Sequence, residues 1–221
     1  MEVPIRTPFT WHTFDVTAEL PAGWRDAVTR TAREHAQDRA VGKPAITSRE
    51  LPGGADVLIS MVDGKEVAEH LPWLTDLYTG RFRDLAQTIT DETVETARDP
   101  RYGIYLNVQT ERHGRFECHV DSNPIEGLLY FTDQPPGSGG TLRVSNSGEV
   151  RGTDAVDRDC ASIHPVAGHL LFFDARHHTH YVTALTRSDD LRVVAGMNYY
   201  LPSAPESARP VDLNERLFGA K

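Results

Sequence analysis

The sequence predicts a mainly β protein with flanking helices, and three observations support this fold class. Up to about residue 100, apolar residues recur at the three- and four-residue steps of amphipathic helices. Beyond that point the chain consists of short runs rich in β-branched and aromatic residues. Clusters of glycine, proline and aspartate separate these runs, most clearly at residues 134–140. Many short strands at such spacing are typical of an antiparallel jelly roll or a related barrel.

The N-terminal region, residues 1–100, is expected to support the sheet. Trp24 and Val28 begin one apolar helix face, and the turn residues Pro52-Gly53-Gly54 divide two strand-like runs. Four elements are predicted here: helices at 21–38 and 71–89, and strands at 45–47 and 56–62.

The β core is expected at residues 101–204. Its predicted strands are 102–109, 116–120, 127–132, 140–144, 169–173, 180–184 and 191–201. The polar stretch 145–159 resembles a mobile excursion over the mouth of the barrel, and residues 205–221 look like a loose C-terminal tail. At 221 residues, the chain suits one domain.

Composition limits the partners of the protein. The net charge of -9 disfavours nonspecific attraction to nucleic acid or anionic membranes. No stretch approaches the roughly 18 apolar residues of a bilayer span, and residues 1–14 do not resemble a signal peptide. We therefore expect a small-molecule substrate, with no nucleic acid or membrane partner.

Two cysteines, Cys118 and Cys160, do not make a disulfide scaffold, although a single buried pair is open to them. A reducing, cytoplasmic location is the default expectation.

The most informative residues are His119, Asp121 and His180. In a strand, alternate side chains share a face, so His119 and Asp121 can both point into the barrel. Barrel closure can bring His180 to them from a distant strand. Two imidazoles and one carboxylate can occupy one face of an octahedral iron(II) and leave three positions open. Taken alone, the H-x-D pattern is equally compatible with a structural core histidine, and His177 and His178 compete with His180 as ligands.

The order and spacing of several segments resemble those of motifs in the iron(II)- and 2-oxoglutarate-dependent oxygenases, in particular their prolyl-4-hydroxylase-like branch. The resemblance covers residues 102–202 and is one of motifs. The segments are HVD at 119–121, GLLYFT at 127–132, GGTLR at 139–143, GHLLFF at 168–173, HYV at 180–182 and RVVAGMNYY at 192–200. The resemblance implies a double-stranded β-helix core, jelly-roll or cupin-like, supported by the N-terminal helices.

The resemblance also implies ligand roles. His119, Asp121 and His180 match the iron ligands. Arg192 matches the arginine that pairs with the distal carboxylate of 2-oxoglutarate, a pairing that suits guanidinium geometry. Tyr130 matches a tyrosine that reaches the same carboxylate in some members.

Four further residues follow from position. Gln109 and Asn107 lie on a strand that often contributes a cofactor or substrate contact. Asn198 shares the strand face of Arg192 and is expected to look into the pocket. The interval between His180 and Arg192 is longer than is common in the family, so Arg187 is a rival for the carboxylate role. Arg192 is preferred because it lies in a strand-like run, whereas Arg187 lies among turn formers.

The activity implied is hydroxylation of an unactivated C–H bond, using O2 and 2-oxoglutarate as co-substrates and releasing succinate and CO2. Related halogenases lack the carboxylate that Asp121 provides, so halogenation is not expected. The short chain looks most similar to bacterial hydroxylases of free amino acids and natural-product intermediates. Charges beside the ligand segments suggest a small polar substrate held by residues such as Arg143, Glu117, Arg115 and Arg176, and Asn198 is expected to join them from the strand face of Arg192.

The sequence is also compatible with three other functions. One is a peptidyl, prolyl-type hydroxylase, and another is a noncatalytic module that binds metal or 2-oxoglutarate. The third is a cupin-type metalloenzyme that uses the histidines of residues 177–180 without a keto acid.

Overall fold

The computed structural model describes residues 9–41, 57–115, 118–211 and 213–219. The predicted strand at 45–47 and Glu117 lie outside these residues. The strands are β1 Trp11–Asp15, β2 Gln37–Val41, β3 Val57–Val62, β4 Glu95–Thr96, β5 Ile104–Gln109, β6 Ile125–Tyr130, β7 Leu142–Ser145, β8 Cys160–Ile163, β9 His169–Phe173, β10 His180–Val182 and β11 Arg192–Tyr200. The α-helices are α1 Trp24–His35, α2 Gly64–His70, α3 Pro72–Leu77, α4 Arg83–Gln87, α5 Thr153–Asp157 and α6 Leu213–Phe218.

Two antiparallel sheets form the core. The larger has the strand order β1-β9-β6-β11-β5-β3-β2, with β4 paired to β11, and the smaller has the order β10-β7-β8. His119 and His180 form an isolated antiparallel bridge that extends the smaller sheet. This arrangement is the mainly β fold with flanking helices that the short runs predict.

Strand β11 is central to the larger sheet and is buried along its whole length. Its odd-numbered residues, Val193, Ala195 and Met197, share an apolar cluster with residues of α1 and α3. On the opposite face, Val194 packs with residues of the smaller sheet. Because alternate residues of a strand point to opposite faces, β11 separates the helical layer from the space between the sheets.

The predicted helix at 71–89 is divided into α3, a π-helical turn at Tyr78–Phe82, and α4. Within this wider turn, the carbonyl of Tyr78 accepts a hydrogen bond from the Tyr199 hydroxyl at 3.0 Å. The Tyr78 hydroxyl donates to the Asn198 carbonyl at 2.8 Å. Contacts of this kind with a neighbouring strand commonly accompany departures from regular α-helix.

The N-terminal region contributes more strand than expected. Strand β1 pairs with β9 from Trp11–Phe173 to Asp15–His169 and so forms one edge of the larger sheet. Strand β2 pairs with β3 at the other edge. The polar stretch 145–159 contains α5 and leads into β8, which pairs with β7.

The C-terminal segment is docked, and the expectation of a loose tail does not describe it. Arg101 donates to the carbonyls of Phe218 at 2.9 Å and Gly219 at 3.2 Å. Phe218 and Leu213 pack in an apolar cluster with Met61 and Tyr102. Within the described part of the chain, no helix combines the length and apolar character needed to cross a membrane.

Candidate metal centre and its cavity

His119, Asp121 and His180 converge at one end of the smaller sheet. The bridge between His119 and His180 places their backbones side by side, with reciprocal N–H to carbonyl bonds of 3.0 and 2.9 Å. Asp121 is anchored by its backbone N–H, which donates to the Ala175 carbonyl at 2.9 Å. Val120 lies between His119 and Asp121, and its side chain is buried. Because alternate residues of an extended chain point to opposite sides, it does not share their face.

The three side chains are within coordination reach of one another. Nε2 of His119 lies 3.3 Å from Oδ1 of Asp121, and Nε2 of His180 lies 3.2 Å from Oδ2 of the same carboxylate. The ring centroids of the two histidines are 4.5 Å apart. Ligand atoms at about 2.1 Å from one ion lie roughly 2.9–3.4 Å from each other, so this set fits a first-row divalent metal.

Hydrogen bonding sets the tautomer of His180. Its Nδ1 lies 3.0 Å from the carbonyl oxygen of His178, which can only accept. Nδ1 therefore carries a proton, so Nε2, on the side of Asp121, is the nitrogen that can bind a metal ion. An outer hydrogen bond of this kind is the usual way in which a metal-binding histidine is oriented.

Asp121 is held as a carboxylate. Burial alone would raise its pKa, but the adjacent His119 and His180 outweigh that effect and hold the pKa well below its usual range. The donor set therefore offers one anionic oxygen and two imidazole nitrogens.

A cavity of about 70 Å³ adjoins the three ligands between the two sheets. Besides the ligands, it is lined by Tyr105, Asn107, Glu126, Leu128, Leu142, Phe173, Val182, Arg192, Val194 and Gly196. The absence of a side chain at Gly196 leaves room for the ring of Tyr105, because a Cβ on residue 196 would lie 2.4 Å from Cζ of that ring.

Arg192 is buried at this cavity with only 2% of its surface exposed. Its Cζ lies 5.8 Å from the ring centroid of Tyr130. Among the described residues, Nε of Arg192 and the Tyr130 hydroxyl make no hydrogen bond of normal geometry, although the two side chains are close enough to influence each other's pKa, and no described carboxylate pairs with the guanidinium. A buried guanidinium with unused donors is costly without an anion, so this pair fits a carboxylate that the described chain does not supply.

The electrostatics of the pair agree with this interpretation. Burial lowers the pKa of Arg192, against the influence of Tyr130. Burial raises the pKa of Tyr130 to about 12, although Arg192 opposes it. Tyr130 is therefore a neutral hydrogen-bond donor at neutral pH, beside a cation.

A glycine pair fixes the stem of Arg192. Gly139 and Gly140 have positive φ values of 81° and 66°. A Cβ on Gly140 would lie 3.0 Å from Cδ of Arg192, and one on Gly139 would lie 1.9 Å from the Ala184 carbonyl oxygen. The GG of the sequence motif thus permits both the turn and the close approach of backbone to arginine.

Arg187, the rival of Arg192, lies on the surface. Its side chain is 68% exposed, and its Nε is 4.0 Å from Asp190. His177 is likewise outside the cluster, with a 66% exposed side chain.

Of the two predicted residues on β5, Asn107 lines the cavity. Gln109 pairs in register with Arg192, but its Nε2 donates to the carbonyls of Gly114 at 2.7 Å and Thr183 at 3.0 Å. Gln109 therefore joins the two sheets beside Arg192.

Of the predicted substrate residues, those that the structure describes do not line this cavity. Arg143 points away from it and pairs with Asp157 at 2.9 Å. Arg176 forms a two-pronged pair with Asp174, at 3.0 and 2.7 Å. Asn198 lies on the face of Arg192, but its Nδ2 donates to the Tyr102 carbonyl at 2.6 Å.

Glu126 is an ionisable cavity residue that was not predicted from the sequence. It is 4% exposed and accepts a hydrogen bond from Nδ2 of Asn123 at 2.7 Å. Burial raises its pKa well above the usual range, and the charge of Asp121 adds to this effect. The available signal was its parity with Leu128 and Tyr130, which places it on the cavity face of β6.

A larger cleft of about 580 Å³ lies elsewhere, between β4 and the C-terminal segment. None of the predicted site residues lines it. The three candidate metal ligands and Arg192 all line the smaller cavity.

Comparison of the sequence with protein-family models and with curated proteins gives no match. Solved structures with a similar fold include AviO1 from Streptomyces viridochromogenes Tue57, 15% identical over 90% of this chain and 92% of its own, with a TM-score of 0.61. The epimerase SnoN in complex with Fe3+, alpha ketoglutarate and nogalamycin RO is 15% identical over 97% of this chain and 88% of its own, with a TM-score of 0.58. An oxidoreductase of the 2OG-Fe(II) oxygenase family from Burkholderia pseudomallei is 11% identical over 86% of this chain and 84% of its own, also with a TM-score of 0.58.

The chain has the fold of the 2OG-Fe(II) oxygenases. The predicted jelly-roll class is thereby confirmed. The match extends through the N-terminal region, beyond the residues 102–202 that carry the motif resemblance.

Proposed function

We propose that the protein is an iron(II)- and 2-oxoglutarate-dependent dioxygenase that hydroxylates an unactivated C–H bond of a small polar substrate. One observation carries this proposal: a cluster of two imidazoles and one carboxylate shares a cavity with a buried arginine that has no anionic partner among the described residues. The first element suits iron(II), and the second suits the far carboxylate of a keto diacid.

His119, Asp121 and His180 would hold the metal on one side and leave the cavity side open. Bound there, iron(II) supplies the activation of O2 that is coupled to conversion of 2-oxoglutarate to succinate and CO2. The His178 carbonyl keeps Nε2 of His180 available, and Asp121 supplies the negative charge that lowers the net charge of the centre.

Arg192 and Tyr130 would bind the distal carboxylate of 2-oxoglutarate. A guanidinium presents parallel donors to a carboxylate, and the Tyr130 hydroxyl adds a neutral donor. Because both groups are buried, these hydrogen bonds form in a site with little competing water.

Glu126 supports a polar substrate, and an amine in particular. A buried carboxyl in the cavity can accept from a substrate ammonium or exchange hydrogen bonds with a hydroxyl. Asn107 and Tyr105 add polar atoms to the same walls. We therefore propose a free amino acid or an amino-acid-derived natural-product intermediate as substrate.

The proposal includes oxidations other than hydroxylation at the same iron site. The similar fold of SnoN, an epimerase whose structure contains nogalamycin RO, supports natural-product intermediates as a substrate class. Substrate placement then decides between hydroxylation and related reactions.

The proposal is tested with purified protein loaded anaerobically with iron(II). Succinate formation and O2 consumption are measured with 2-oxoglutarate and a panel of free amino acids and amine-bearing natural-product intermediates. We expect succinate that depends on iron and increases with at least one panel member. The absence of any iron-dependent 2-oxoglutarate decay contradicts the oxygenase. Stimulation by peptides alone rejects the small substrate and favours the peptidyl hydroxylase.

A further inference from the structure

A second cluster of metal-binding side chains lies on the helical layer, away from the cavity. His35 ends α1, while Glu66 and His70 lie four residues apart on one face of α2. Nδ1 of His35 is 3.0 Å from Oε2 of Glu66, and Nε2 of His70 is 3.4 Å from the same oxygen. One ligand atom from each of these residues lies within 4.8 Å of the others.

These distances match the spacing of ligands around one ion. Nitrogen and oxygen ligands about 2.1 Å from zinc lie roughly 2.9–3.4 Å apart. The two imidazole rings are stacked with centroids 3.8 Å apart and an angle of 28° between their planes. Stacked rings do not point their in-plane lone pairs at one position, so binding a shared ion requires the His70 ring, on the last residue of α2 and with a 32% exposed side chain, to rotate.

The set has the composition of an open, three-ligand zinc site. Two imidazoles and one glutamate with a free solvent side are a recurrent zinc donor set, in which water completes the tetrahedron. Glu34 contributes further negative charge, with its Oε2 4.0 Å from Nε2 of His35. The partial exposure of all three ligands, between 27% and 39%, gives an ion access from solvent.

The position in the fold suggests what an ion would do. His35 precedes β2 and Glu66 follows β3, and these strands pair with each other at the edge of the larger sheet. An ion that joins His35 to Glu66 therefore closes the chain at the base of the β2–β3 hairpin. Strand β3 in turn pairs with β5, which carries the cavity residue Asn107.

We propose that His35, Glu66 and His70 form a second metal site, which binds Zn2+ or a similar late first-row divalent cation and stabilises the β2–β3 edge. The site is independent of the candidate iron centre and of the proposed reaction. Cross-linking two ends of a long chain segment stabilises the folded state by restricting the unfolded chain.

The test is a zinc titration of the full-length protein by calorimetry, in a two-by-two set of variants. We expect two equivalents in the unmodified protein, one in His180→Ala and one in His35→Ala. The double variant is expected to bind none with micromolar affinity. Zinc should also raise the Tm of His180→Ala but not that of the double variant.

Two further variants make the result specific. Glu66→Gln keeps a hydrogen-bond acceptor for the imidazoles but removes the ligand charge, so its affinity should fall at least tenfold. His177→Ala removes an exposed histidine outside both clusters and should keep both equivalents. Circular dichroism of each variant shows whether the fold is retained.

The proposal is overturned if His180→Ala binds no zinc below millimolar concentration. It is also overturned if folded His35→Ala and Glu66→Gln bind zinc as the unmodified protein does. Failure of the iron centre alone gives a different pattern, in which His35→Ala loses all binding and His180→Ala loses none.

Discussion

Arg192 and Tyr130 face each other beside the metal cluster, with Cζ of the arginine 5.8 Å from the centroid of the tyrosine ring. Each keeps a buried polar atom that has no partner among the described residues. A buried cation in this state reduces the stability of the protein without its ligand and favours anion binding. The same two residues should therefore oppose folding and support co-substrate binding.

Arg192→Met is expected to separate these two effects. Replacing an unpaired buried charge by an apolar side chain should raise stability without ligand, by roughly 1–4 kcal/mol. Affinity for 2-oxoglutarate should fall by about 100-fold or more, because a charge-assisted pair is lost. Thermal unfolding and calorimetry measure the two quantities. Arg187→Met, on the exposed rival, should change neither, and a lower Tm with unchanged affinity in Arg192→Met would contradict the assignment.

Tyr130→Phe should produce a smaller and cleaner change. Removing one neutral hydroxyl donor is expected to weaken 2-oxoglutarate binding by roughly three- to tenfold, the usual range for one hydrogen bond. Stability without ligand should rise, because the substitution removes a buried hydroxyl that has no partner among the described residues. A destabilised apo protein would instead indicate that the hydroxyl has a structural partner.

His180→Ala should abolish iron binding. The loss in metal affinity should exceed about 100-fold, since even outer hydrogen-bond partners of metal ligands contribute tenfold to 100-fold. Iron content after desalting and succinate formation are the measurements. His177→Ala is the matched control, because its side chain is 66% exposed and lies outside the cluster. Equal iron content in the two variants would refute the ligand assignment.

Glu126→Leu should affect the substrate and not the co-substrate. We expect the KM for an amine-bearing substrate to rise roughly tenfold to 100-fold, as for a lost hydrogen bond to a charged group. The KM for 2-oxoglutarate should remain within twofold. Arg143→Ala, whose guanidinium pairs with Asp157 outside the cavity, should leave both values unchanged. A shift of both KM values in Glu126→Leu would assign Glu126 to the co-substrate instead.

Acid is expected to release the C-terminal helix. Asp99 accepts hydrogen bonds from Arg209 at 3.2 Å and from Asn214. Burial alone would raise its pKa, but these bonds and one from the Arg101 backbone lower it from 3.8. Since the docked state has the lower pKa, the stabilisation is fully present above about pH 4 and is lost as the pH falls below that value and through the pKa of the docked state.

Amide hydrogen exchange of residues 213–219 measures this release, after correction for the intrinsic pH dependence of exchange. Asp99→Asn should remove the additional acceleration in acid. Asp84→Asn, at an exposed carboxylate, should keep it. Equal protection at pH 3 and pH 6 in the unmodified protein would show that Asp99 does not control docking.

Strands with regular apolar patterns could be predicted from the sequence, as β9 and β11 illustrate, because burial imposes that pattern. Strand β1 could not, since four of its five residues are exposed and its place depends on pairing with β9. The helix at 71–89 has a uniform spacing, and its π-helical turn depends on contacts with β11 that the spacing does not encode.

The same distinction applies to the site. Strand alternation and barrel closure were sufficient to place His119, Asp121 and His180 in one cluster. The two arginines proposed as substrate residues do not line the cavity, because each pairs with an acidic side chain close by, Asp157 for Arg143 and Asp174 for Arg176. Glu126 was missed because the predicted strand began one residue later, and because its burial depends on neighbours distant in sequence, such as Tyr105.

The turn at Gly139 and Gly140 limits which substitutions the wall of the cavity beside Arg192 can tolerate. A Cβ on Gly139 would collide with the Ala184 backbone, and a Cβ on Gly140 would press against the side chain of Arg192 in a strained positive-φ conformation. The turn therefore restricts where the Arg192 stem can lie, while the wall that holds Glu126 is built from side chains. We expect substitutions around Glu126 to change which substrate fits the cavity and to leave the proposed keto acid the same.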